Sequence, residues 1–82
     1  MDKTTKEFLS ILPAGDKLFN IKPNTEIGFT IWVYDVHGRT VKQFNLNAQP
    51  QSISLAELPS GTYFLHINDI DGNQQIIKLP VF

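Results

Sequence analysis

The chain reads as an all-β protein, a sandwich of six to seven short antiparallel strands. Three observations predict it. Apolar residues recur with a period of two, no stretch of ten residues carries helical periodicity, and turn signals interrupt the chain at short, regular intervals.

The elements follow in order. Residues 1–7, Met1-Asp2-Lys3-Thr4-Thr5-Lys6-Glu7, are polar and read as a disordered or arm segment, leaving 8–82 as a single domain. Residues 8–12 form an edge strand or an ordered arm. Pro13-Ala14-Gly15-Asp16 then breaks the chain before a short strand over 17–21, and Pro23-Asn24 and Gly28 break it again. Residues 29–35 are the clearest strand. Phe29, Ile31 and Val33 share one face while Trp32 and Tyr34 share the other, the two-sided pattern of a central strand. Val36-His37-Gly38-Arg39 supplies a glycine for positive φ and so a tight hairpin into a strand over 40–46. Gln49-Pro50 marks the passage to a strand over 52–55, and Ala56-Glu57-Leu58 is long enough for one turn only. Residues 63–67 repeat the central design, with Tyr63, Leu65 and Ile67 on one face and Phe64 and His66 on the other. Asp71-Gly72 makes the next hairpin, and 73–79 is a closing strand that Pro80 should stop. No internal repeat, linker or low-complexity segment is visible.

Composition excludes several classes. A chain of 82 residues holds one domain and buries roughly 60–65% of the surface its unfolded form exposes. With no cysteine it has neither disulfides nor thiolate metal sites. Seven basic and eight acidic residues give a net charge of −1, which offers no basic footprint for nucleic acid. No apolar run is long enough to span a bilayer, and the polar start lacks the apolar core of a signal peptide.

Few residues offer chemistry. His37 falls in a turn and His66 on an outward strand face. None of the serines at 10, 52, 54 and 60 has the context of an activated nucleophile, so no catalytic residue is assigned. Asp69-Ile70-Asp71-Gly72-Asn73 has the oxygen spacing that opens a calcium loop. However, its glycine stands fourth rather than sixth and no glutamate closes it. A hairpin turn capped by Asp and Asn side chains is the simpler reading, and no metal or cofactor is expected.

Two segments carry more. Leu58-Pro59-Ser60-Gly61-Thr62-Tyr63 looks like the tyrosine corner of Ig-type sandwiches, which makes the expected fold Ig-like. There Tyr63 would be buried with its hydroxyl bonded to backbone just upstream, and Pro59 and Gly61 would set the corner. If the two central strands are neighbours, Trp32, Tyr34 and Phe64 form an outward aromatic patch. Such a patch could stack on sugars, present a protein-binding surface, or pack under loops or the N-terminal arm. Arg39 is either a solvated side chain or a clamp on the turn through Asp35.

Tyr34-Asp35-Val36-His37-Gly38-Arg39, followed by Val41 and Phe44, resembles the Y-D-x-x-G-R hairpin of the type IX secretion (Por) C-terminal sorting domain, type A. Ile53-Ser54-Leu55-Ala56-Glu57-Leu58-Pro59-Ser60-Gly61-Thr62-Tyr63-Phe64-Leu65 is similar to that family's I-x-L-x-x-L-P-x-G-x-Y-x-L segment, and Gly72 and Lys78 complete the pattern. The order and spacing agree over roughly residues 8–79. The family's proline-rich opening is reduced here to Pro13, and its lysine-rich end to Lys78-Leu79-Pro80-Val81-Phe82.

The resemblance implies a non-enzymatic address label on a secreted Bacteroidetes cargo. Its partners would be the outer-membrane secretion machinery and a sortase-like peptidase, and its location the periplasm in transit to the cell surface or medium. By position, Asp35, Gly38 and Arg39 match the first motif, Pro59, Gly61 and Tyr63 the second, and Lys78 the terminal strand. The chain would then be either an excised domain or a stand-alone relative that has lost or changed the role, and excision is the favoured reading. The alternative is an accessory carbohydrate-binding or surface-adhesion module using Trp32, Tyr34 and Phe64. An exposed edge strand on so small a sandwich could also pair with a second chain.

Overall fold

A computed structural model describes residues 9–82. The polar segment 1–7 and Phe8 lie outside the described residues. Seven strands follow one another: β1 (Leu9–Gly15), β2 (Leu18–Pro23), β3 (Phe29–Tyr34), β4 (Thr40–Leu46), β5 (Gln51–Ser54), β6 (Gly61–Asp69) and β7 (Gln74–Val81). Every pairing among them is antiparallel. They form two sheets, one ordered β1-β2-β5 and the other β4-β3-β6-β7. The β5-to-β6 connection crosses from one sheet to the other, as in Ig-type Greek keys. The expected all-β sandwich is what forms.

Alternation explains the core. Phe29, Ile31 and Val33 of β3 and Tyr63, Leu65 and Ile67 of β6 are all buried, facing Leu9, Phe19, Ile21 and Ile53 of the opposite sheet within one cluster. No polar or charged residue is buried among the described residues. β3 and β6 are the two inner strands of their sheet, so their second faces lie on its outside. There Trp32, Tyr34, Phe64 and His66 are each half-buried.

Two prolines behave differently from the sequence expectation. Pro13 was expected to end the first strand, but β1 continues to Gly15, with a register shift between Pro13 and Gly15. Pro80 was expected to stop the last strand, yet it pairs with Thr62 and β7 runs on to Val81. Both are tolerated for one reason. β1 and β7 are edge strands, and a residue there can lack an N–H on the open side without breaking a ladder.

The four edges differ in what guards them. β1 is interrupted by its proline and bulge, and β5 has only four residues. β4 carries a bulge opposite Val33/Tyr34, where Tyr34 pairs with Thr40 and Val33 with Lys42. β7 pairs with β6 without a shift from Gly61↔Val81 to Asn68↔Gln74. It is the least interrupted edge, protected mainly by Lys78 and Pro80.

Candidate functional site at one end of the four-stranded sheet

The β3–β4 hairpin turns on Asp35. Its Oδ1 accepts the backbone N–H groups of His37 (2.9 Å) and Arg39 (3.0 Å). The main chain closes the same loop, with Gly38 N donating to the Asp35 carbonyl and Asp35 N to the Arg39 carbonyl, both at 3.0 Å. Gly38 sits at φ 81°, a region that costs a side-chain-bearing residue dearly. Of the two roles open to Arg39, the structure has the clamp. Its Nε lies 2.9 Å and a terminal nitrogen 2.8 Å from Asp35 Oδ2, a two-point contact. The Arg39 side chain nevertheless keeps 74% of its surface exposed, against 13% for Asp35.

Asp35 is thus the turn's acceptor. Partial desolvation pushes its carboxyl up, but the backbone N–H groups of Arg39 and His37 and the Arg39 guanidinium outweigh this and hold its pKa below the ordinary value. A folded-state pKa below the unfolded one means stability that is complete above the unfolded value of 3.8 and is lost as pH falls through the depressed folded value. Asp35→Asn should therefore unfold at lower temperature than the parent at pH 7. The gap in melting temperature should narrow steadily below about pH 4. A gap independent of pH would show that the charge contributes nothing to the turn.

The second motif is a tyrosine corner. Tyr63 is buried, and its hydroxyl donates to the Pro59 carbonyl at 2.6 Å, the backward bond the sequence predicts. Pro59 and Gly61 frame the bend. Lys17, in the β1–β2 turn, fastens the corner from the other sheet. Its Nζ donates to the Leu58 carbonyl (2.7 Å), and its own carbonyl accepts Leu55 N–H (2.8 Å).

Register brings these positions together. Tyr34 pairs with Phe64, and Phe64 pairs with Lys78, so one row crosses β3, β6 and β7. Asp35, Gly38 and Arg39 directly follow Tyr34, while Pro59, Gly61 and Tyr63 directly precede Phe64. All seven motif positions, distant in sequence, gather at one end of the four-stranded sheet. That end displays the turn and corner backbone, the exposed Arg39 and Lys78 side chains and the half-buried Tyr34 and Phe64 rings. The next row inward pairs Trp32 with His66, so the three predicted aromatics do share the outer face.

His66 belongs to this surface more closely than its isolated reading implied. Its ring centroid is 6.4 Å from that of Tyr34, and its Nε2 lies 2.7 Å from Gln74 Oε1. The clue lay in its alternation with Phe64. Among the described residues no group of three or more His, Asp or Glu is placed to hold a metal ion. At the opposite end of the sheet the Asp69 carboxylate caps its own turn. Oδ1 accepts Asp71 N (2.9 Å) and Asn73 N (3.0 Å), and Oδ2 accepts the Asn73 side-chain amide (3.1 Å). Gly72 there has φ 87°. Asp-x-x-Gly is therefore used twice as the same device, once at each end, although the surrounding sequences show no repeat.

The architecture is a two-sheet, Ig-type sandwich whose marked residues build one turn and one corner. Residues 13–81 match the family model described as the secretion system C-terminal sorting domain, and the chain belongs to that family. Beta-agarase A of Zobellia galactanivorans is 39% identical over 64 residues, which cover 78% of this chain and 12% of that protein. The similarity thus spans a small part of the agarase. No solved structure matches the chain.

Proposed function

We propose that the domain is the folded address by which a cargo protein is carried through the type IX secretion system across the outer membrane. The observation that carries this is the convergence of both family motifs on one end of the sheet, in a chain that belongs to the sorting family. A receptor meeting this end finds a preorganised turn locked by Asp35 and Arg39, a corner locked by Tyr63, and the exposed Lys78 side chain beside them. Binding a preformed surface avoids the ordering cost that an unfolded tail would impose. In this reading the outer-membrane secretion machinery and a sortase-like peptidase are the partners, and the domain itself performs no chemistry. β7, the least interrupted edge, is where a second strand would pair, whether from the machinery or from another copy.

The test is a fusion of residues 8–82 to a periplasmic reporter in a type IX-competent host. The reporter should appear on the surface or in the medium, and should stay in the periplasm in a secretion-deficient strain. Periplasmic retention of the folded fusion in the competent host would sink the proposal.

A further inference from the structure

At the end of the sheet away from the Asp35 turn, the outer face holds a shallow groove of about 410 Å³. We propose that this groove is a binding site for a neutral saccharide. The proposal does not depend on the sorting reading, since none of the seven motif positions lines the groove.

The argument starts from what lines it. Trp32 supplies an aromatic surface, and Thr30 lies beside it on the same strand face. Register places Asn45 on one side of Thr30 and Asn68 on the other, so an amide–hydroxyl–amide row runs across β4, β3 and β6 next to the indole. This row is partly preorganised. Asn45 Oδ1 accepts from Thr30 Oγ1 (3.1 Å) and from Gln43 Nε2 (3.4 Å), which orients the amide and leaves its NH2 as a donor. Asn68 is half-buried and makes no side-chain hydrogen bond among the described residues, so it retains both donor and acceptor.

Chemistry then selects the occupant. Among the described lining residues the single charged group is Asp69, and both its carboxylate oxygens are engaged in its own turn. With no cation among the described lining residues, a nucleic acid or other polyanion finds no counter-charge from them. β3 and β6 are inner strands whose backbone groups are spent on their neighbours, so a peptide cannot add here as a strand. A purely apolar protein surface would bury the Asn45 and Asn68 amides without partners, at a desolvation cost. A pyranose ring meets every condition. Its C–H face lies on an aromatic ring, and each of its hydroxyls both donates and accepts, as amides require.

Trp32 is the sole tryptophan, so its fluorescence reports this site alone. The experiment titrates the folded 82-residue chain with cellohexaose and, separately, mannohexaose, following Trp32 emission and the indole and amide resonances by NMR. At least one of these probes should shift Trp32 emission and move the Trp32, Asn45 and Asn68 signals, with a dissociation constant on the order of 1 mM, as suits an open groove. Asn68→Ala keeps the ring and should weaken binding about three- to tenfold. Trp32→Ala, read by NMR, should weaken it about tenfold or more. Silence of Trp32 with both sugars, shifts confined to other surfaces, or full affinity in folded Asn68→Ala and Trp32→Ala would each overturn the proposal. Capture of a protein instead, with no response to sugar, would assign the face to a protein partner and overturn it equally.

Discussion

Leu65→Ala should lower the melting temperature by roughly 10–40 °C, taking about 4–8 °C for each kcal/mol in a domain of this size. Leu65 is fully buried at the middle of β6, paired with Val33 on one side and Ile77 on the other. Truncating it removes transfer free energy and leaves a cavity between two sheets that cannot close on it, a loss of about 2–5 kcal/mol. A chain of 82 residues has a total stability of only about 4–12 kcal/mol. There are no disulfides to hold the remainder, so this one change removes at least about a sixth of the margin, and nearly half of it at the middle of both ranges. Thermal unfolding by circular dichroism measures it. A shift below about 5 °C would mean the two sheets can collapse onto the site. The same variant bears on sorting, because a signal read as a folded surface should export its reporter poorly once part of the population is unfolded at the growth temperature.

Tyr63→Phe is the second large effect, and it isolates a single hydrogen bond. The ring stays in the core while the Pro59 carbonyl loses its 2.6 Å partner at a partly buried site. Leaving such an acceptor unmet costs about 1–3 kcal/mol, which corresponds to a drop of roughly 5–20 °C. The corner is also held by the Lys17–Leu58 bond, so the fold should survive the substitution. Urea unfolding should show a lower midpoint with an unchanged slope, since the surface exposed on unfolding is the same. A reduced slope would indicate that the corner opens in the native state. Export of the Tyr63→Phe fusion then separates stability from recognition, because this residue is a folding residue whose hydroxyl is turned inward.

Much of this was legible from the sequence because it depends on local chemistry. The inward sets Phe29/Ile31/Val33 and Tyr63/Leu65/Ile67 follow from alternation, and the hairpins follow from Asp and Gly at fixed offsets. The strand ends at Pro13 and Pro80 were misplaced because proline's effect depends on whether its strand has a neighbour on both sides, which is a property of the sheet. The β4 bulge was equally hidden. It makes Val41 an extra residue opposite the Val33/Tyr34 step, so Lys42, Phe44 and Leu46 turn toward the core side and Val41 is left exposed. The Asn45–Thr30–Asn68 row could not be foreseen for a related reason. It is made by the register of three strands, and alternation within one strand says nothing about its register with the next.

The repeated Asp-x-x-Gly turn also bears on how the chain finds its structure. Each copy closes a hairpin over a few residues, so the entropy lost in bringing those strands together is small. Hairpins of this kind form in about 1–10 μs, whereas joining β3 to β6, or β2 to β5, must span long stretches of chain. The four-stranded sheet should thus assemble from two hairpin halves that dock along β3 and β6. Destabilising either glycine turn should slow refolding, while the Tyr63 corner, which joins the second sheet, should act mainly on the rate of unfolding.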